Sequence, residues 1–332
     1  MSDTSPKGHS HKLAIVLTLI SFIIAALLLI NRQYVIDQVV VWQFKPSGQV
    51  TALADRASMN DRGKFYFYAS QPALENADTF NQKCDRKEQS TAILGCYTGR
   101  YIYIYNVTDE KLDGIREVTA AHEMLHAAYD RLGDDERSKV DALLSQEYDK
   151  LKNDKKLAER MAFYARTEPG QRNNELHSVI GTEISDIAPK LEEHYKQYFS
   201  DRSQIVSLHH KYESVFNDLQ SRGESLSAEL TRLGDSIEAE SVDYNKMVNQ
   251  LNQDIQTFND KAANGGFSSQ NEFDVARSAL VARADQLDAM RESINSKVAR
   301  YETLRTELLS IASQSEELNR SIDSSLAPAP SL

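Results

Sequence analysis

The sequence predicts an α+β protein in which an N-terminal transmembrane helix is followed by a mixed domain and a long antiparallel helical hairpin. Three observations carry this prediction. Residues 13–30 are apolar and uncharged, residues 64–200 combine strand-like runs with amphipathic helices, and apolar side chains beyond residue 201 recur at three- and four-residue steps. The expected parts are a cytoplasmic tail (1–12), a signal anchor (13–30), a juxtamembrane segment (31–63), the mixed domain (64–200), the coiled-coil hairpin (201–325) and a disordered tail (326–332).

The composition is that of a globular protein without a nucleic-acid-binding surface. Of the 332 residues, 41% are hydrophobic and 26% are charged, so a real core can form. The net charge of −11 argues against phosphate binding, because proteins that bind nucleic acids usually carry a basic patch. We therefore expect no nucleic-acid partner.

The segment Leu13–Ile30 is long enough to cross a bilayer as a helix. It passes directly into Asn31 and Arg32, without the small-residue cleavage site of a signal peptide, so we expect an uncleaved anchor. Lys7 and Lys12 precede the segment. The positive-inside bias, although modest, places the N-terminus in the cytoplasm and the rest of the chain outside the cell membrane.

The chain after the anchor contains several short apolar clusters. Val39–Trp42 predicts a membrane-proximal helix or a packing strand. Phe65–Tyr68 and Arg100–Val107 have the pattern of strands, and turn-forming residues such as Gly133 and Pro169 separate the amphipathic helices of this region.

Cys84 and Cys96 are the two cysteines of the chain. A cysteine metal site normally needs closer CxxC spacing or a second pair, and neither is present. In an oxidising compartment a disulfide would close one small loop, whereas in a reducing compartment both residues would be free thiols. Because the anchor predicts export, we favour the disulfide.

The segment Ala121–His126 carries the residues with the clearest chemistry. On a helix, His122 and His126 lie four residues apart on one face, so both imidazoles can reach one metal ion, and Glu123 lies beside them. An apolar face supports that helix at Ile115, Val118, Leu125, Tyr129 and Leu132. The alternative is an ordinary amphipathic helix on which two histidines happen to have this spacing.

This HExxH segment resembles the zincin metallopeptidases, and with the anchor and the helical C-terminal part it looks like a family of membrane-anchored bacterial proteins. The resemblance implies a Zn²⁺ cofactor bound by His122 and His126, with Glu123 as general base for hydrolysis of a peptide or protein substrate. The metzincin pattern would need Gly at Tyr129 and His or Asp at Leu132. The gluzincin pattern, whose third ligand is a Glu on a later helix, is therefore expected.

Two glutamates compete for the role of third ligand on the helix predicted at Asn173–Ile187. Glu183 falls inside the apolar face of this helix and Glu175 lies at the edge of that face. A buried carboxylate is costly unless it is paired or bound to a metal, so Glu183 is preferred and Glu175 is the alternative. Asn174–Glu175 nevertheless resembles the start of several gluzincin ligand helices, and His177 is a more distant candidate.

The same resemblance implies roles for residues around the ligands. Asp186 would hold a ligand histidine in its tautomer, although its spacing is one residue shorter than usual in gluzincins. The stabiliser of the oxyanion would be Tyr195, His194 or His177, and the sequence does not distinguish them.

The strand at Tyr101–Val107 lies just before the predicted metal helix. In zincins an edge strand in this place binds the substrate backbone in extended form, which would assign Tyr101, Tyr103 and Tyr105 to substrate binding. The alternative is an internal strand that carries Ile and Tyr on opposite faces.

The C-terminal part has the pattern of two coiled-coil arms, separated by the helix-breaking residues Asn264–Gly266. The second arm is the more regular, with a seam at Leu287, Met290, Ile294, Val298, Tyr301, Leu304, Leu308, Ile311, Leu318 and Ile322. This pattern also supports a different class of function, a non-enzymatic envelope scaffold or adaptor whose hairpin holds a helical partner or a second copy. The set of His122, Glu123 and His126 favours the enzyme, because a scaffold has no physical need of a base beside two metal ligands.

Overall fold

The computed structural model describes residues 8–84 and 93–325, with side chains from residue 13 onward. The predicted disordered tail (326–332) and residues 1–7 of the predicted cytoplasmic tail lie outside this part. The described chain is predominantly helical and contains one small sheet. Its helices are α1 (Gly8–Ile30), α2 (Arg32–Gln43), α3 (Gly48–Arg56), α4 (Asp61–Ala69), α5 (Ala77–Lys83), α6 (Ile115–Asp130), α7 (Asp134–Leu151), α8 (Lys155–Thr167), α9 (Arg172–Glu183), α10 (Pro189–Tyr195), α11 (Arg202–Ala263) and α12 (Gln270–Ile322), with a 3-10 turn at Glu110–Leu112.

Helix α1 is long and apolar enough to cross a membrane over Leu13–Ile30, and no part of that segment is buried inside the protein. Its polar side chains, Thr18 and Ser21, donate hydrogen bonds to the carbonyls of Ala14 and Leu17. These bonds satisfy the hydroxyl donors within the helix itself, as an apolar surrounding requires. By length and composition, α1 is suited to be a membrane anchor or a signal sequence.

Two apolar clusters that follow α1 are helical. Val39–Trp42 belongs to α2, so of the two predicted alternatives the helix is present. The strand predicted at Phe65–Tyr68 is wrong, because these residues form the second half of α4. The side chain of Asn60 caps that helix by accepting hydrogen bonds from the backbone of Arg62 and Gly63. The cap and the packing of α4 on its neighbours outweigh the strand preference of alternating Phe and Tyr.

A buried ion pair joins α2 to the end of α6. Asp37 is 3% exposed and accepts hydrogen bonds from Nε and Nη2 of Arg131 at 2.8 and 2.9 Å. Gln33 donates a further hydrogen bond to Asp37. Such a two-pronged arginine–carboxylate pair fixes orientation as well as distance. Helix α2 is therefore an integral part of the folded unit that contains α6.

The sheet has three strands, β1 (Ala73–Glu75), β2 (Gly95–Tyr97) and β3 (Ile102–Tyr105), in the order β1-β3-β2. Strand β3 pairs parallel with β1 and antiparallel with β2. It is therefore the central strand, and the prediction that this segment is an edge strand is wrong. The alternative prediction of an internal strand is correct, with Ile102 and Ile104 fully buried. Within the described residues, β2 pairs with β3 alone, so β2 has a free edge.

The predicted disulfide is present between Cys84 and Cys96. It connects the residue that follows α5 to the middle of β2. The segment between the two cysteines lies largely outside the described residues. The covalent link therefore restrains the position of β2 relative to α5.

Helix α6 is the centre of the core, and α9 packs closely along it. Four alanines of α6 are almost completely buried and leave room for neighbouring elements, at Ala120, Ala121, Ala127 and Ala128. On α9, a Cβ atom at Gly181 would lie 2.5 Å from Cδ1 of the buried Leu125, so a larger residue there would force this side chain or the helix to shift. The close packing places the side chains of α9 within reach of those on α6.

The chain divides into two compact units, one of Met1–Val215 with Leu318–Leu332 and one of Phe216–Glu317. The second unit contains most of α11 and α12, which run antiparallel. Four ion pairs establish this direction, because residues later in α11 pair with residues earlier in α12: Arg222–Glu307, Glu229–Arg300, Glu240–Lys297 and Asp254–Arg283. Helix α11 begins close to the predicted boundary at residue 201, but its residues up to Val215 belong to the first unit.

Candidate metal centre

Helix α6 places His122 and His126 on one face, with their ring centroids 4.7 Å apart. Gly114 precedes the helix with a φ of 105°, a left-handed conformation that favours glycine. His126 is 8% exposed, and His122 is partly buried. The helix therefore presents both imidazoles at the floor of a cleft, as the four-residue spacing predicts.

The structure brings Glu175, not Glu183, to the two histidines. Its Oε2 lies 3.8 Å from Nε2 of His122, and its Oε1 lies 3.7 Å from Nε2 of His126. These ligand atoms form a group that could hold a metal ion. Two ligand atoms of a tetrahedral zinc ion lie about 3.4 Å apart, given bonds of about 2.1 Å. The three ligand atoms lie within 4.8 Å of one another, so modest side-chain shifts would bring them to this spacing.

Glu183, the preferred third ligand from the sequence, has a different partner. Nη1 of Arg160 donates to both of its carboxylate oxygens, at 2.5 and 2.6 Å. Glu183 therefore has the partner that a carboxylate on this face requires, but that partner is the Arg160 guanidinium of α8 and not a metal ligand site. His177, the distant candidate, is fully buried and points its Nε2 toward Nε2 of His194, 2.9 Å away.

The electrostatics of the site favour an added cation. Burial, helped by the nearby carboxylate of Glu168, raises the pKa of Glu175 to about 8. Burial also raises the pKa of Glu123 to about 7, with Glu175 adding to the effect and His126 opposing it. Oε2 of Glu175 is buried and has no hydrogen-bond partner among the described residues. Tyr164 donates a hydrogen bond to this carboxylate, which opposes the effect of burial on its pKa. The oxygen that lacks a donor is still costly to bury, and a divalent ion at the three ligand atoms would remove that cost.

The histidines are suited to act as neutral ligands. Burial lowers the pKa of His122 well below its ordinary value, and the neighbouring His126 lowers it further. Nδ1 of His126 lies 2.9 Å from Oδ1 of Asn174. The Asn174 amide is itself oriented, because its Nδ2 donates to Oε1 of Gln171 at 3.1 Å. The hydrogen therefore sits on Nδ1 of His126, and the Nε2 lone pair faces Glu175.

Replacing Asn174 by alanine should weaken zinc binding by about 10- to 100-fold, because His126 loses the acceptor that fixes its tautomer and ring orientation. Competition against a chromophoric chelator measures this affinity. Asn174→Asp should restore most of it, since a carboxylate accepts the same hydrogen bond. The matched control is Asn173→Ala, whose side chain contacts Arg172 instead. An unchanged affinity in Asn174→Ala would show that this hydrogen bond does not orient the ligand.

The site opens into a cleft of about 780 Å³. Strand β2 lies along one side, where a Cβ atom at Gly95 would be 2.8 Å from Oε1 of Glu123. Arg160 and Tyr164, one turn apart on α8, lie along another side. The sequence analysis did not single out either residue. A carboxylate on an apolar helix face needs a partner, and this requirement at Glu183 could have pointed to a basic residue such as Arg160.

The residues proposed as oxyanion stabilisers do not line the described cleft. Tyr195 is fully buried and donates its hydroxyl to the carbonyl of His177. His194 pairs with His177 in the same buried aromatic cluster, where burial lowers the pKa of His194 to about 4. Asp186 is exposed beyond the end of α9, and Asn174 occupies the position that Asp186 was expected to fill.

The tyrosines assigned to substrate binding also lie elsewhere. The rings of Tyr101 and Tyr103 pack against each other, and Tyr105 packs on Phe80. Among the described residues of this sheet, the cleft is lined by β2 and the residues around it instead. The order of the strands explains the difference, since β2 separates β3 from the cleft side of the sheet.

No protein-family model, no curated protein and no solved structure matches the chain. The geometry and chemistry of the site are therefore what indicates a function. The main evidence for a function is that three ligand side chains lie together beside a buried glutamate in an open cleft.

Proposed function

We propose that this chain is a membrane-anchored, zinc-dependent peptidase whose metal ligands are His122, His126 and Glu175. The observation that carries the proposal is that these side chains converge beside Glu123 at the floor of a cleft. Two neutral imidazoles and one carboxylate are the protein ligands typical of a catalytic zinc site, which leaves a further position for water or substrate. When bound, zinc would polarise the scissile carbonyl and activate the attacking water.

Glu123 acts as the general base. It follows directly after His122 on α6, is 6% exposed and lines the cleft. Its carboxylate takes a proton from the attacking water as the water oxygen bonds to the carbonyl carbon. It then transfers that proton to the amide nitrogen as the carbon–nitrogen bond breaks, so that the amine leaves and the new carboxyl group remains. A carboxylate whose pKa lies near neutrality can perform both transfers.

Tyr164 is our candidate for the hydroxyl that contacts the oxygen of the scissile carbonyl, because it donates a hydrogen bond to the ligand Glu175 and so lies at the metal site. It lines the cleft, and burial together with the charge of Glu175 raises its pKa well above the ordinary value. The hydroxyl therefore stays protonated at neutral pH and can donate a hydrogen bond as negative charge develops on that oxygen.

The free edge of β2 is the natural place for the substrate backbone. Its residues Gly95–Tyr97 line the cleft and pair with β3 on one side only within the described chain. An extended peptide can add to such an edge through backbone hydrogen bonds. The disulfide at Cys96 holds this edge in position and agrees with a domain located outside the cytoplasm.

The scaffold or adaptor function is the second candidate, and exposed apolar side chains on the hairpin favour it. These residues are Val242, Val275, Val281, Val298 and Leu309. They give the second unit a surface that a helical partner or a second copy could cover. This function needs neither a metal ion nor Glu123, so the metal content of the protein distinguishes the two candidates.

Elemental analysis of the full-length chain, purified in detergent, tests the peptidase proposal. We expect about one zinc ion per chain, as for a catalytic site with three protein ligands. We also expect cleavage of a mixed peptide library that a chelator abolishes and added zinc restores. His126→Ala should lose both zinc and cleavage, and Asn173→Ala is the control that keeps both. A chain that takes up no zinc and cleaves no peptide would leave the scaffold as the better account.

A further inference from the structure

Helix α2 has an apolar face that points away from the folded unit. We call Val35, Ile36, Val39 and Trp42 the outer face of α2. These side chains are 36%, 47%, 47% and 84% exposed, respectively. At about 100° per residue they span an arc of roughly 120°, with Asp37 on the opposite side of the helix. The charged residue is thus turned inward to Arg131, and apolar side chains are turned outward.

The position of α2 along the chain identifies what covers this face. Helix α1 ends at Ile30, and α2 begins at Arg32, so Asn31 alone separates them. Two residues can span at most about 7 Å, and a twelve-residue helix is about 18 Å long. If α1 crosses a bilayer, the whole outer face therefore lies within about 25 Å of the point where α1 leaves the membrane, close enough for α2 to lie along the polar surface of that membrane. Ile30, the last residue of α1, is itself 80% exposed, so exposed apolar side chains lie on both sides of Asn31.

The residues on and around the outer face match the chemistry of a lipid headgroup region. Tryptophan is enriched at membrane–water interfaces, where its ring is apolar and its N–H can be hydrated. Trp42 is the only tryptophan of the chain. Exposed basic residues, Arg32 and Lys45, flank the helix and are suited to lipid phosphates.

We propose that the outer face of α2 rests in the interfacial region of the bilayer that α1 spans. This inference depends on the anchoring role of α1, but it does not depend on metal binding or catalysis. It also orients the cleft, because Arg131, which holds Asp37 of α2, donates a hydrogen bond at 3.2 Å to the hydroxyl of the cleft residue Tyr97. The metal centre is thereby held beside the membrane surface in a fixed orientation.

Fluorescence of Trp42 tests this placement directly, because no other tryptophan contributes to the signal. The full-length chain is reconstituted into phosphatidylcholine vesicles that contain lipids brominated near the headgroup or near the end of the acyl chain. We expect a blue-shifted emission, strong quenching by the shallow bromines, weaker quenching by the deep ones, and protection from acrylamide. The variant Trp42→Phe/Val39→Trp should behave in the same way.

The reference variant is Trp42→Phe/Lys152→Trp, which places the only tryptophan at an exposed turn after α7. Its acrylamide quenching gives the value for a hydrated side chain. If acrylamide quenches Trp42 as strongly as this reference and brominated lipid does not quench it, the inference is wrong. A blue-shifted Trp42 that lipid bromines do not quench would instead mean that protein covers the outer face. Flotation of the vesicles after a carbonate wash tests anchoring separately, and a chain that does not float overturns both the anchor and this inference.

Discussion

Replacing Glu123 by glutamine should lower the rate of peptide hydrolysis by on the order of 10²- to 10⁴-fold without changing the zinc content. Glutamine has nearly the same shape as glutamate but cannot accept the proton of the attacking water. None of the three ligand side chains is altered, since the group that could hold the metal consists of His122, His126 and Glu175. The loss should therefore be confined to the chemical step.

The fold should tolerate this exchange. Burial raises the pKa of Glu123 above its value in the unfolded chain. In the metal-free protein, ionisation of Glu123 therefore lowers the free energy of unfolding as the pH rises above that unfolded-chain pKa. The amide removes that cost, and metal-free Glu123→Gln should be at least as stable as the wild type above neutral pH. Thermal unfolding at several pH values measures this difference.

The assay pairs zinc analysis with the rate of cleavage of one identified peptide. Glu168→Gln is the matched control, because Glu168 lines the same cleft and is not among the ligand candidates. Its rate should stay within a few-fold of the wild type. Full activity in Glu123→Gln would remove the general base from the mechanism. Loss of zinc in that variant would make Glu123 a ligand.

The sequence predicted the parts of the fold and site that depend on spacing within one element. The four-residue step from His122 to His126 is sufficient to place both imidazoles on one helix face. The seam of apolar residues likewise predicted two long antiparallel arms. In both cases the relevant distances are set by helix geometry alone.

The predictions that failed depend on which elements become neighbours. The apolar face of α9 showed that Glu183 is poorly exposed, but not that Arg160 of α8 lies against it. The alternating Phe and Tyr residues of Phe65–Tyr68 predicted a strand, but the Asn60 cap and the packing of α4 stabilise a helix there. The run at Tyr101–Val107 was correctly predicted to contain a strand, but strand order, which placed β3 in the middle, is not encoded in that run.

Glu175→Ala should weaken zinc binding by more than about 100-fold, because removing a ligand must cost at least as much as removing the group that orients one. Glu183→Ala is the matched control, an acid on the same helix two turns away. The Glu183 carboxylate is bound by Arg160 and is not in the group formed with His122 and His126, so the zinc affinity of this variant should remain close to that of the wild type.

For stability we expect the reverse order, with the larger loss in Glu183→Ala. Metal-free Glu175→Ala loses a buried carboxylate with a raised pKa and an unpartnered oxygen. The relief of its desolvation offsets the lost hydrogen bond from Tyr164, so the melting temperature should change little. Glu183→Ala leaves the guanidinium of Arg160 without its partner, so its melting temperature should fall. Chelator competition and thermal unfolding on both proteins measure the two effects together. If Glu183→Ala lost zinc while Glu175→Ala kept it, α9 would have to turn in the metal-bound protein, and the ligand set proposed here would be wrong.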